Sequence, residues 1–252
     1  MNLNNNFPRF LTRDSKPFNP IALAKKNEKI VCNDNSRRYT DFYCTGVYGG
    51  ISTGYLTGCC LRCIFCWVSL SREYPEKYGK FYSAEEAASL LIHNARKSGV
   101  NKVRISGGEP TIGKEHLLKV LDFIAESNLF FILETNGILM GYDATYAKAL
   151  SKYKNLYVRI SIKAGTPEGF QQRTGSLAEF YELPYKAVEN AIINNLYFRV
   201  ACMSDPRLMS EQERKKMIEK LRGIKYREEL EEETCDPYNT TLIRLKAAEW
   251  DI

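Results

Sequence analysis

The sequence predicts an α/β protein with a parallel sheet, and three observations predict it. Short apolar and β-branched runs alternate with helical stretches of about 10 to 15 residues, a rhythm that builds right-handed βαβ crossovers. The helical stretches carry their own punctuation: Ser83 with Glu86 and Ser210 with Glu213 are spaced as capping boxes, and Gly99 and Gly223 stand where those helices should stop. Size is the third observation. With 252 residues, 44% hydrophobic and 26% charged, the chain can fill one barrel-sized core and is not of disordered or low-complexity composition. Five or six βα units fit this length. They are too few for a closed eight-stranded barrel, which leaves an open doubly wound sheet or a partial barrel.

In chain order, residues 1–42 are polar and broken by Pro8, Pro17 and Pro20, so they read as an irregular arm with one short helix near Ile21 to Lys26. Phe42 to Thr57 is rich in Gly, Tyr and Thr and reads as a strand ending at Gly58, directly before a cluster of cysteines. An apolar helix containing Ala87, Leu90 and Leu91 follows, then a strand at Val103 to Ser106 and a helix through Leu117, Leu121 and Ile124. Phe130 to Glu134 is the next strand, closed by an Asn136-Gly137 turn, and Asp143 can cap a short helix through Ser151. Leu156 to Ile162 is a strand whose alternation puts Ser161 and Lys163 on one face. Pro184 suits the first position of a helix ending near Asn195, and Leu196 to Met203 is the following strand, with Arg199, Ala201 and Met203 on one face. Arg227 to Glu233 reads as the solvated face of a helix, and Thr241 to Leu245 as a final strand.

Lys and Arg number 36 against 30 Asp and Glu, a net charge of +6. This mild excess is compatible with RNA or an acidic partner and demands neither. The Asn-rich start, Met1 to Phe10, lacks the pattern of a secretory signal, and no run approaches the roughly 18 apolar residues of a membrane span. A cytoplasmic, reducing location is therefore expected, with no membrane partner. In such a compartment eight cysteines are not a disulfide framework. Four fall between Cys59 and Cys66, which points to metal, whereas Cys32, Cys44, Cys202 and Cys235 are scattered.

Cys59, Cys63 and Cys66 have C-x3-C-x2-C spacing on a loop. Three thiolates so placed can each take a different iron of one four-iron cube, leaving the fourth iron open to a ligand. Zinc usually asks for a second Cys or His pair, and the only histidines are His93 and His116, both in helical stretches. With Phe65 before the last cysteine, this segment resembles the signature of the radical S-adenosylmethionine superfamily, and Gly107-Gly108-Glu109-Pro110 at a strand end resembles that superfamily's loop for the methionine amino group.

The resemblance implies a partial (β/α)6 TIM-like barrel of the radical SAM type over residues 43–225, flanked by an N-terminal arm, 1–42, and a C-terminal extension, 226–252. It implies a 4Fe-4S cluster on Cys59, Cys63 and Cys66, and S-adenosylmethionine cleaved reductively to a 5'-deoxyadenosyl radical that abstracts hydrogen from a substrate. Gly107 and Gly108 would let backbone approach the cofactor, with Glu109 offering its carboxylate to the ammonium group. Ser161-Ile162-Lys163-Ala164, Phe170, Arg173-Thr174-Gly175 and Glu134-Thr135-Asn136-Gly137 resemble segments of the activating enzymes of glycyl radical proteins, of the pyruvate formate-lyase activating type. By that resemblance Lys163 would contact the cofactor's carboxylate or ribose, and Glu134, with Asn136 in the same turn, would lie near its amino group. Ser161 stands where those enzymes usually carry Asp. Arg199 would either hold a carboxylate or pair with Glu109 or Glu134. Trp67, directly after Cys66, resembles the Cys-Trp pair of enzymes that build wyosine-type bases on transfer RNA. The implied partners are an electron donor such as a ferredoxin or flavodoxin and a substrate that is a protein glycine, an RNA or a small metabolite. A cluster protein that only carries electrons or senses redox state is the non-catalytic alternative.

Overall fold

The computed structural model describes residues 7–251. The first six residues of the expected arm, and with them most of the Asn-rich start, lie outside the described residues. In chain order the elements are α1 (Pro20–Val31), β1 (Cys32–Asn33), β2 (Ser36–Thr45), β3 (Ile51–Leu56), β4 (Lys80–Ser83), α2 (Ala84–Lys97), β5 (Lys102–Ser106), α3 (Lys114–Ala125), β6 (Phe130–Thr135), α4 (Ile138–Tyr142), α5 (Thr145–Leu150), β7 (Leu156–Ile162), α6 (Pro167–Thr174), α7 (Glu182–Ile193), β8 (Phe198–Met203), α8 (Glu211–Gly223), β9 (Glu231–Glu233) and α9 (Asn239–Ala247).

One sheet runs β1-β2-β3-β5-β6-β7-β8-β9, with β4 on the flank of β2. From β3 to β9 the pairings are all parallel, and the antiparallel pairs β1-β2, β2-β3 and β2-β4 extend the β3 edge. The six parallel strands follow chain order without reversal. A doubly wound sheet reverses at a switch point, so this order is that of a partial barrel.

Alternation along the parallel strands separates the two faces. Val103 and Ile105, Phe131 and Leu133, Val158, Ile160 and Ile162, and Val200 and Cys202 are buried, and they belong to the same apolar core as Ala87, Leu91, Leu117, Leu121, Ala187 and Val188 of the helices. The intervening positions include the polar Arg104 and Ser106, Glu134, Arg159 and Ser161, and Arg199, beside the apolar Ile132, Ala201 and Met203. A closed barrel packs its interior with branched apolar side chains; here the inner face is a lumen that carries charged groups among apolar ones.

Several expectations are corrected. The strand expected over 42–57 is a hairpin, β2 and β3, turned at Val47–Gly49, where Tyr48 has φ 53° and Gly49 and Gly50 also have positive φ. The arm holds a helix of 12 residues, capped by Asn19, and the start of β2. The charge run read as a helix face contains β9, the sixth parallel strand, and the strand expected at 241–245 is helix α9. The sheet therefore passes both ends of the 43–225 span. Pro184 sits third in its helix, not first, because α7 begins at Glu182. The Ser83–Glu86 capping box forms in both directions. At Ser210 only the serine half forms, because Glu213 is drawn to Arg173 and to the Gly165 N–H at 2.8 Å.

Candidate metal and cofactor site

The loop after β3 holds its three spaced cysteines by their carbonyls. Cys59 O accepts from Asn27 Nδ2 of α1 at 3.1 Å and from Arg62 Nη1 at 3.0 Å. Cys63 O accepts from Arg72 Nη1 at 2.7 Å. Cys66 O accepts from Arg244 Nη1 at 2.5 Å and Thr241 Oγ1 at 3.1 Å, both from α9. The loop also lies against the C-terminal end of α6, through Arg62 N to Thr174 O and Ile64 N to Arg173 O, each 3.0 Å. Pinning the backbone this way fixes where the thiols point without using the thiols.

The thiols differ. A hydrogen bond from Cys60 is the main reason Cys59 is lowered to about 7, whereas burial pushes Cys63 up to about 12. Metal binding must therefore displace a proton from Cys63. Asn136 Nδ2 lies 3.7 Å from Cys59 Sγ and 3.3 Å from the buried Cys60 Sγ, tying the β6 turn to the loop. Among the described residues no three Cys, His, Asp or Glu side chains converge on a point as ligands of one ion would. A cube, in which each thiolate takes its own iron, does not ask for convergence. Cys32 and Cys44 lie on the neighbouring strands β1 and β2, and Cys202 and Cys235 on β8 and just after β9, so the two pairs sit at opposite ends of the sheet.

The Gly107-Gly108 pair is a close-approach feature. A Cβ on Gly108 would stand 2.4 Å from Gly58 O and 2.8 Å from Thr57 O, and Gly107 has φ 88°. Glu109 N donates to Gly58 O at 2.9 Å, so this loop and the cysteine loop share backbone contacts. The Glu109 carboxylate already has partners within the fold. It is buried, and its Oε1 accepts from Thr111 N, Thr111 Oγ1 and Thr135 Oγ1 while Oε2 accepts from Asn136 N. Thr135 belongs to the helix-facing set of β6, so Glu109 acts as a strut between the β5 and β6 turns. Only Oε2 has capacity for one further donor. Pro110 follows in the same buried turn.

In the lumen, Glu134 accepts from Tyr48 OH at 2.6 Å and from Arg104 Nη1 and Ser106 Oγ at 3.0 Å each. Arg104 also donates to Thr53 Oγ1 at 2.9 Å. Across the lumen Arg159 pairs with Glu231 and, at 2.9 Å, with Glu233. Ser161 Oγ donates to Glu233 Oε2 at 3.3 Å, and Lys163 Nζ lies 2.6 Å from Ser161 Oγ and 5.7 Å from the centre of the Phe65 ring. The structure thus brings Phe65, Ser161 and Lys163 together. Arg199 pairs instead with Glu228, in the segment between α8 and β9, at 3.0 Å, and not with Glu109 or Glu134.

Sequence reasoning missed Glu231 and Glu233. Glu233 brings a carboxylate beside Ser161, where the chain lacks an acid of its own on β7. Their signal was spacing: two residues apart in a short run, they share one face of a strand. It also missed an aromatic ladder. Phe42 packs with Tyr39 and Tyr82 on the helix side, so Tyr43 faces the lumen side with Thr53 and Tyr55. Tyr43 stacks on Tyr55 with centroids 4.5 Å apart, and Tyr55 meets Trp67 edge-on at 6.4 Å. Tyr43 and Trp67, at 47% and 46% exposure, leave ring surface open beside the cysteine loop.

Of the known families, one covers this region. The Radical SAM superfamily profile matches residues 55–222. A probable GTP 3',8-cyclase of Methanococcus maripaludis is 31% identical over 137 residues, 53% of this chain and 42% of the relative. The GTP 3',8-cyclase of Syntrophomonas wolfei is 30% identical over 135 residues, 52% of this chain and 40% of the relative. The chain spans less than half the length of these relatives. Among solved structures, Streptococcus suis SuiB bound to S-adenosylmethionine superposes with TM-score 0.57 at 17% identity, covering 71% of this chain and 39% of that one. That likeness is one of fold.

Proposed function

This chain belongs to the radical SAM superfamily, and on that premise we propose that it abstracts a hydrogen atom from a substrate with a planar ring and polar groups, a purine nucleotide being the class to test first. The superfamily uses a 4Fe-4S cluster and S-adenosylmethionine and needs a reductant. When bound, these cofactors supply an electron that splits the sulfonium and yields a nucleoside radical for hydrogen abstraction.

The chain's own residues have separable tasks. Cys59, Cys63 and Cys66 would hold three irons, and their clamped carbonyls would hold the loop. Gly107 and Gly108 would admit the methionine end of the cofactor to the backbone. Lys163, with Ser161 and Glu233, would hold its carboxylate or ribose while Phe65 flanks it. Glu134 and Arg104, already paired, would orient polar groups of the substrate. A ferredoxin or flavodoxin would be the donor.

The Tyr43–Tyr55–Trp67 ladder carries the reading of substrate class. Ring stacking on an exposed aromatic is worth ~1–3 kcal/mol per base, and this one adjoins the cysteine loop. The names of the partial relatives favour the same class. Ribose-deuterated GTP, incubated anaerobically with the reconstituted protein, S-adenosylmethionine and dithionite, should pass label into 5'-deoxyadenosine. Trp67→Ala should raise the nucleotide KM about tenfold with kcat little changed. The alternative is oxidation of a protein glycine, supported by resemblance at Lys163 and Arg173-Thr174-Gly175. Label arriving from a glycine-deuterated peptide, and none from GTP, would establish that alternative and sink the nucleotide reading.

A further inference from the structure

Behind the cysteine loop lies a cluster of charges that the lumen chemistry does not use. Arg72, Glu73 and Arg244 are among the most buried polar side chains, at 2%, 0% and 2% exposure. Glu73 Oε1 accepts from Arg72 Nε at 2.9 Å and Arg244 Nε at 2.8 Å, and its Oε2 accepts from Arg244 Nη2 at 2.8 Å. Two guanidiniums against one carboxylate leave one net positive charge. The outer nitrogens then reach the cysteine loop: Arg72 holds Cys63 O at 2.7 Å, and Arg244 holds Cys66 O at 2.5 Å and Ser69 O at 3.2 Å.

Docking α9 on this loop does not require a charge. Burying ions costs several kcal/mol per ion unless something compensates, and apolar side chains of similar size often hold such an interface as well or better. Arg244 also lies beyond residues 55–222, so the superfamily match does not account for it. What compensates a buried cation here is an anion on the other side of the loop. A four-iron cube held by three thiolates carries a net negative charge and gains another on reduction.

We propose that the Arg72–Glu73–Arg244 triad is an electrostatic support for the cluster, raising its reduction potential by placing one net positive charge behind the carbonyls of Cys63 and Cys66. The inference rests on the superfamily reading of the site and not on the identity of the substrate. Arg72 and Arg244 are positioning and tuning residues, since they touch the loop and not the reacting atoms.

The test is a redox titration, followed by electron paramagnetic resonance, of the anaerobically reconstituted full chain, with iron per chain measured alongside. Removing a unit charge several ångströms away in a medium of effective dielectric about 20 changes the reduced-to-oxidised ratio by on the order of tenfold or more. For one electron, tenfold is about 59 mV. Arg72→Gln and Arg244→Gln should shift the potential negative, and Glu73→Gln, which uncovers both cations, should shift it positive. Arg244→Lys should stay near the unaltered chain. Opposite signs separate charge from mere loosening, which would move all variants the same way. If either Gln variant of arginine fails to hold iron, Glu73→Gln and Arg244→Lys decide. No positive shift in Glu73→Gln, or a large shift in Arg244→Lys at full iron content, overturns the proposal. Failure of the unaltered chain to hold a cluster would instead overturn the superfamily reading of the site.

Discussion

On the β3 side of the lumen Arg104 is bound to Glu134 with side chains 8% and 22% exposed, whereas at β8 Arg199 meets Glu228 with 38% and 58% exposed. The chemistry is the same and its worth is not. The first pair is largely desolvated and shares Glu134 with Tyr48 and Ser106, so removing a partner strands a charge. The second is an exposed pair of small value. The difference separates a rigid half at β5 and β6, which carries the glycine turn, from an open half at the β8 edge, whose pair is exposed to solvent.

The strongest way to break this comparison is at the rigid half. Gly108→Ala would set a methyl against two backbone carbonyls, at 2.4 and 2.8 Å, with no side chain to move aside. The variant should lose most of its bound iron after reconstitution and form little 5'-deoxyadenosine; full iron content would show that this half yields.

Acid should also act on the rigid side. Burial lowers His116 from 6.5 to about 4, and its ring bonds Tyr39 OH and Asn35 O at 2.8 Å each. The unfolded chain takes up the proton first, so stability is full above about pH 6.5 and falls as the pH drops toward 4, by up to about 3 kcal/mol. Urea unfolding at intervals across that window should show the loss, and His116→Gln should flatten it. A flat profile in the unaltered chain would contradict a neutral buried imidazole.

Glu134→Gln should cost about 2 kcal/mol, the value of a charged hydrogen-bonded partner, read by the same urea melts. Arg199→Ala, the open-half counterpart, should stay within about 0.5 kcal/mol. Equal costs would erase the comparison; a cost confined to Glu134 would sharpen it.

What the sequence disclosed follows the same division. The parallel units were readable because each helix and strand has its own period and its own punctuation, as at Ser83, Glu86 and Gly99. Cysteine spacing was readable because it depends on local chain length. The strand at Glu231 was not, since three acids in a row look like solvated surface until Arg159, two strands away on β7, reaches Glu231 and Glu233. The surroundings of Glu109 were hidden for a related reason: a carboxylate after two glycines suits a ligand, and only the fold brings Thr135 and the Asn136 N–H onto it as well. The hairpin at Tyr48 was hidden because a residue with positive φ there is not glycine.

The central claim is that three clamped cysteines present their thiols to a cluster with one open iron. Anaerobic reconstitution, reduction in the presence of S-adenosylmethionine and assay for 5'-deoxyadenosine test it most directly. About four irons per chain and accumulating 5'-deoxyadenosine are expected from the unaltered protein, with neither from Cys63→Ala. Bound zinc in place of iron, or a fully assembled cluster that forms no 5'-deoxyadenosine, would contradict it.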